Sequence, residues 1–217
     1  MLATIPTIDD KNLEMLLDKL NAEYDPIRIK VKPSIDSKSL DCTENVARQV
    51  KKSGGKSIFG WRIWKSKNLI EAEFHSIWEN NKGELIDITP LQPGLKFTHI
   101  LFVEDEALIY EGKQIDNVRL NITQNELVDL FIDSCEAIYK IKNRGERAFL
   151  HDKDFEQSLT EADIDEIVEY SKIQSALYQY TEMGKDHNDL CFCESGKEIM
   201  KCHGKDFKSK IDAILNA

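Results

Sequence analysis

Three of the five cysteines fall within twelve residues, as Cys191-Phe-Cys193 and then, eight residues further on, Cys202-His203. No other feature restricts so sharply what part of this chain can fold into. Three thiolates and an imidazole make a soft-to-borderline donor set that suits tetrahedral Zn²⁺, with bonds of about 2.3 Å to sulfur and 2.0–2.1 Å to nitrogen. Four protein ligands leave no open coordination position, so the expected site is structural. Ser195-Gly196 lets the chain turn sharply, and backbone amides there can donate to the thiolates. So small a module has little core of its own, and metal binding is expected to drive its folding. The crowding also argues against a disulfide framework in a reducing compartment.

On the four ligand positions, the Ser195-Gly196-Lys197 turn and Lys201, the segment resembles the SEC-C motif, a zinc knuckle appended to many bacterial proteins. It departs at Ile199, where the family carries an aromatic, and at Glu198 and Met200, where it carries further lysines. The resemblance implies one structural zinc ion on Cys191, Cys193, Cys202 and His203. It also implies a tail that recruits a protein partner or a ribosome-associated factor, without defining what the attached domain does.

The formal net charge is −10, which argues against broad binding to nucleic acid or anionic membranes. The tail runs the other way, with five lysines against two acids between Ser195 and Lys210. Those lysines read either as a docking point for an acidic partner or as solubilising charge around the metal. At 217 residues and 41% hydrophobic content, the chain suffices for one ordinary domain and a small appendage. No apolar run reaches the roughly eighteen residues a membrane span needs. The stretch from Met1 to Asp10 lacks a signal peptide's basic start and apolar core, so a cytoplasmic location is expected.

Leu13, Leu16, Leu17 and Leu20 at helical spacing predict a helix over residues 8–20. A loop carrying Pro26 and Pro33 follows. A second helix over 42–52 starts at Cys42, with Asp41 as N-cap and Glu44 completing a capping-box pattern. After Ser53-Gly54-Gly55 the character changes to aromatic and β-branched runs at 57–64, 69–79, 84–89 and 97–105, punctuated by turn residues. Thr123-x-x-Glu126 predicts a capped helix to about residue 142. Residues 161–183 and 206–215 are helical again. The expected fold class is α+β, an antiparallel sheet of three to four strands packed with helices, followed by a helical region and a zinc knuckle. The expected units are residues 1–122, 123–186 and 187–217.

Cys42 at a helix start, His75 in one strand and Asp87 in the next form a second constellation. A helix N-terminus and a nearby imidazolium both favour thiolate. A carboxylate on the second ring nitrogen fixes the imidazole's tautomer. Along its strand His75 alternates with Glu71, Glu73 and Ile77, while Ile70, Ala72, Phe74 and Trp78 take the other, core-like face, so His75 is expected to point to a polar surface or cleft. Glu71 and Glu73 read as a solvated strand face, a second metal site or substrate contacts. A three-residue Asn81-Lys82-Gly83 loop would pair Asn80 with Glu84 and set Asp87 diagonal to His75 on one face. The run from His75 to Pro90, with Cys42 upstream, resembles the strand pair of transglutaminase-like, papain-related cysteine enzymes. That resemblance implies Cys42 as nucleophile, His75 as general base then acid, and Asp87 as orienting acceptor. No Trp or Gln precedes Cys42 to donate to an oxyanion, so backbone amides are expected to serve. The wider pattern also resembles bacterial proteins that carry a SEC-C tail. Two readings stand: a thiol-dependent hydrolase or acyl transferase, and a non-enzymatic interaction module whose zinc tail recruits a partner. Cys135, on a predicted helix, reads as packing.

Overall fold

The computed structural model describes residues 3–217; Met1 and Leu2, the start of the stretch read above for a signal peptide, lie outside the described residues. Among the described residues there are six helices and six strands: α1 (Lys11–Leu20), β1 (Ile27–Val31), α2 (Cys42–Ser53), β2 (Lys56–Lys65), β3 (Leu69–Glu79), β4 (Leu85–Asp87), β5 (His99–Glu104), β6 (Val118–Asn121), α3 (Glu126–Lys142), α4 (Asp152–Ser158), α5 (Glu161–Glu182) and α6 (His203–Leu215).

The class is α+β, but the sheet is not the antiparallel one of three to four strands that the sequence predicts. Strands run in the order β2-β5-β1-β4-β3, and β3 pairs back with β2, closing a five-stranded barrel with β6 added along β3. The barrel is mixed because β1 runs parallel to β4, whereas its pairing with β5 is antiparallel. Two features close it. The five-residue β1, hidden in sequence between Pro26 and Pro33, inserts between β4 and β5. The ten-residue β2 pairs with β3 along its whole length and also with β5 at Gly60, Trp61 and Arg62. That double pairing presses strands together at Gly60, where a Cβ would lie 2.0 Å from the Val103 carbonyl oxygen.

Closure buries both faces of the strands. Ile58, Ile77, Ile100, Phe102 and Ile29, with partly buried Leu85, come from all five barrel strands and fill the interior. Trp61, Ile63, Ile70, Ala72, Leu101 and Val103 pack outside it against Leu13 and Leu16 of α1. A separate cluster joins Leu127 and Ile141 of α3, Leu177 of α5, Ile211 of α6 and the tail residues Cys191 and Ile199. No described helix is long and apolar enough to cross a membrane.

One capping expectation is corrected here. The cap of α3 is Asn125, whose side chain accepts from the Leu127 amide, because Thr123 is drawn into a turn with Asn121. The reciprocal capping box lies instead at Thr160 and Asp163, opening α5.

Candidate functional site

The start of α2 is positioned by one buried side chain. Asn45 donates from Nδ2 to the Lys38 carbonyl at 2.7 Å and to Thr89 Oγ1 at 3.2 Å, and its Oδ1 accepts from the Lys38 amide at 3.0 Å. These bonds tie the helix to the loop before it and to the end of β4. Leu40, two residues ahead of Cys42, sits in the left-handed region at φ 70°, a strained conformation for leucine. Contrary to expectation, Asp41 makes no cap hydrogen bond with its side chain. The first-turn amides of α2 therefore keep their outward-facing donors.

His75 comes from β3 and Asp87 from the end of β4. Gly83 is left-handed at φ 79°, the Asn80 amide donates to the Glu84 carbonyl at 3.0 Å, and Trp78 pairs with Ile86. This is the register in which Asp87 lies diagonal to His75 on the same face. His75 does not reach a polar surface. It is 1% exposed and belongs to the barrel interior, because closure turned both faces of β3 into covered ones.

His75 Nε2 lies 3.1 Å from Asp87 Oδ1, an ion-pair distance with the N–H off the line to the oxygen. Asp87 Oδ1 also accepts from the Thr89 amide at 3.0 Å. The His75 ring and the Ser76 amide lie near enough to the Cys42 thiol for both to lower its titration. The structure thus brings together all three residues of the constellation. Burial works against charge on each, and their mutual field overcomes it. For His75, desolvation pushes down, the Asp87 carboxylate pushes up and Arg62 pushes down, leaving the imidazole raised to about 9. For Cys42, desolvation pushes the thiol up, but hydrogen bonding and charge from His75, the Ser76 amide and Arg62 carry it below its ordinary value. Asp87, also opposed by burial, is held low by His75, the Thr89 amide and Arg62. Each shift favours the charged form of its group: thiolate for Cys42, imidazolium for His75 and carboxylate for Asp87.

Arg62 and the cleft were missed in the sequence. Arg62 stands opposite Glu73 across the β2–β3 ladder and grips it with three hydrogen bonds of 2.9–3.1 Å. Glu73 also accepts from Trp64 Nε1 at 2.6 Å, and the guanidinium lies 5.0 Å from the Trp64 ring centre. Glu71 in turn pairs with Arg119 and Asn117, both at 2.8 Å. Both glutamates are held in ion pairs, and among the described residues neither falls in a cluster that could hold a metal ion. The thiol opens on a cleft of about 600 Å³ lined by Leu40, Cys42, Glu73, Phe74, Tyr110 and Lys142, among others. Phe74 and Tyr110 stack at 5.4 Å along it. Its far wall comes from the end of α3, the start of α4 and the β5–β6 connection, the last of which carries no periodic signal. An arginine inside the aromatic run Trp61-Arg62-Ile63-Trp64 was the one available hint of a buried cation. Cys135 lies apart on α3, accepting from Gln174 Nε2 at 3.2 Å, and burial pushes its thiol up.

The second site is the tail. A hairpin-like turn, with the Cys191 amide donating to the Lys197 carbonyl at 2.8 Å, folds under the start of α6. Glu194 and Gly196 both take left-handed conformations in this turn, at φ 58° and 72°. The ligand atoms of Cys191, Cys193, Cys202 and His203 all lie within 4.8 Å of one another, close enough to hold one metal ion. Cys191 Sγ is 3.2 Å from His203 Nδ1, and the sulfurs of Cys193 and Cys202 are 3.4 Å apart. Bonds of the zinc lengths give tetrahedral edges of roughly 3.5–3.8 Å, so the donor set and its spacing fit such an ion.

Comparison of the chain with protein-family models, with curated proteins and with solved structures finds no match in any of the three.

Proposed function

We propose that the protein is a thiol-dependent hydrolase or acyl transferase acting from the Cys42 cleft, with a structural zinc ion in its tail. The observation that carries this reading is a cysteine at a helix start, opening on a cleft, whose thiol meets an imidazole that is itself paired at 3.1 Å with a buried carboxylate. In the proposed reaction the Cys42 thiolate attacks a carbonyl carbon and the C=O pair moves onto oxygen. The uncapped amides at the start of α2 face the developing oxyanion. The intermediate collapses by expelling an amine or alcohol, which takes the proton from the His75 imidazolium. The neutral imidazole then removes a proton from water or an acceptor amine as it attacks the thioester, and the thiolate leaves. The Asp87 carboxylate, paired by charge with the second ring nitrogen, keeps the ring oriented throughout.

Cys191, Cys193, Cys202 and His203 would hold the zinc, and because they fill its coordination shell the ion supplies only structure. Following the SEC-C resemblance, the tail recruits a protein partner, and the enzyme works in the cytoplasm. Exposed Leu190 and Phe192 beside the cluster favour this recruiting role and keep an adaptor reading as the second one.

The test is an activated ester such as p-nitrophenyl acetate, given to the zinc-loaded protein. The expected result is a burst of nitrophenol with one acetyl group mapped by mass spectrometry to Cys42, absent in Cys42→Ser and at least about a hundredfold slower in His75→Ala. Acetylation spread over lysines at rates insensitive to both substitutions would favour the adaptor reading.

A further inference from the structure

Resting on the thiol-site reading, we propose that Arg62, clamped by Glu73, is the positioning residue of this site: it fixes the Asp87 carboxylate and so sets the pH range over which the Cys42–His75 pair is charged.

Arg62 is 5% exposed inside a barrel whose other interior residues are mainly aliphatic, and an unpaired cation there would be strongly disfavoured. It is retained between two carboxylates. Glu73 holds its Nε and Nη2, leaving Nη1 directed to Asp87, 3.9 Å from Oδ2. The Trp64 indole, over which the guanidinium lies, fixes Glu73 from the other side, so the fork has little freedom to swing. Cross-strand register fixes the whole arrangement, because Arg62 faces Glu73 on β3 and Phe102 on β5.

The result is a chain of alternating charge through the barrel: Cys42, His75, Asp87, Arg62, Glu73. Cys42 and Glu73, its two ends, line the same cleft. Arg62 Nη1, Asp87 Oδ2 and His75 Nε2 are buried without a hydrogen-bond partner. These atoms interact through charge and position, which makes the dyad responsive to the cation next to it. The other charged or titratable groups lining the cleft are Asp41 just before α2, Glu44 on α2, Lys142 at the end of α3 and His151 just before α4. All four are more exposed than Arg62, so their fields are more screened.

The physical consequence is a tuned proton. With Asp87 alone beside it, a buried imidazolium would hold its proton too firmly to act as general acid near neutral pH. Arg62 opposes that effect and also favours the thiolate, lowering both titrations together.

The discriminating experiment is the pH–rate profile of Cys42 alkylation, read with the His75 titration by NMR of the imidazole C–H signals, in folded wild-type protein and two variants. Arg62→Met/Glu73→Gln removes the pair and with it the cation nearest Asp87, and should move both titrations up by about one pH unit. Glu73→Gln alone leaves the cation uncompensated and should move both down. Opposite displacements are the signature, since a merely structural loss changes rates without moving the two variants in opposed directions. If only Glu73→Gln folds, its downward displacement still decides. Unmoved titrations in a folded variant, with a normally reactive wild-type Cys42, would overturn the role of Arg62 and leave the thiol site standing. An unreactive wild-type Cys42 would overturn both.

Discussion

Desolvation is the largest influence on His75 and disfavours its proton, but the Asp87 carboxylate and the Cys42 thiol together outweigh it and the opposing Arg62 charge. The ordinary imidazole value is about 6.5, and in the fold it rises to about 9. A group raised on folding contributes stability that is complete below the unfolded value and lost as pH climbs through the folded one. Asp87 and Cys42 are depressed, so their contributions are present at high pH and lost as pH falls. His75→Ala should therefore cost about 3–5 kcal/mol near pH 6.5, the penalty for breaking a buried pair, and distinctly less at pH 10. Urea denaturation at the two pH values measures this, and an equal cost at both would contradict the assignment. At this scale the sequence was informative about His75 and Asp87, because strand alternation and loop length fix which side chains share a face. It misled about Asp41, whose capping potential goes unused, and it gave no burial for Arg62, which depends on a neighbouring strand brought in from elsewhere in the chain.

Among the elements, α2 has the most specific task, since it must deliver a thiol to a strand histidine. Its anchor is Asn45, with partners at Lys38 and Thr89. Asn45→Ala orphans the buried Thr89 hydroxyl and both Lys38 backbone groups, at about 1–3 kcal/mol for each group left unsatisfied. The variant should also slow alkylation of Cys42 more than its loss in melting temperature accounts for; unchanged labelling would show that α2 is held by other contacts. Gly60 has a different task, allowing β2 to serve two partners at once. Gly60→Ala would drive a methyl group into the Val103 carbonyl and the Phe102 ring, with a cost of about 1–3 kcal/mol or more expected in the same denaturation assay. The long strands β2 and β3 were readable from their aromatic runs. β1, five residues with alternating Arg28 and Lys30, and β6, four residues carrying Arg119 and Asn121, resemble loop sequence until a neighbour supplies their hydrogen bonds.

At the scale of the whole molecule, two cores meet different needs. The barrel is a non-local object whose closure depends on β1 pairing with β4 and β5, more than fifty residues away. Local patterns cannot announce such closure, so the sequence suggested an antiparallel sheet of three to four strands. The helical core needs the tail, because Cys191 and Ile199 are buried among α3, α5 and α6. The four-donor cluster was the most legible feature of all, since metal-ligand spacing is a local property. Stripping metal with a strong chelator, or substituting Cys202→Ser, should loosen amide protection in α3, α5 and α6 while the β2–β3 ladder stays protected in hydrogen exchange. Unchanged protection in the helices after metal loss would show that the ion is not structural.

If the proposed function holds, His75 keeps the Cys42 sulfur as a thiolate near neutral pH. Iodoacetamide labelling of zinc-loaded protein across pH, with the modified cysteine identified by mass spectrometry, tests it most directly. The account predicts fast labelling of Cys42 at pH 7 that becomes at least about tenfold slower in His75→Ala. Labelling that rises only near the ordinary thiol value of about 8.5, alike in both proteins, would contradict it.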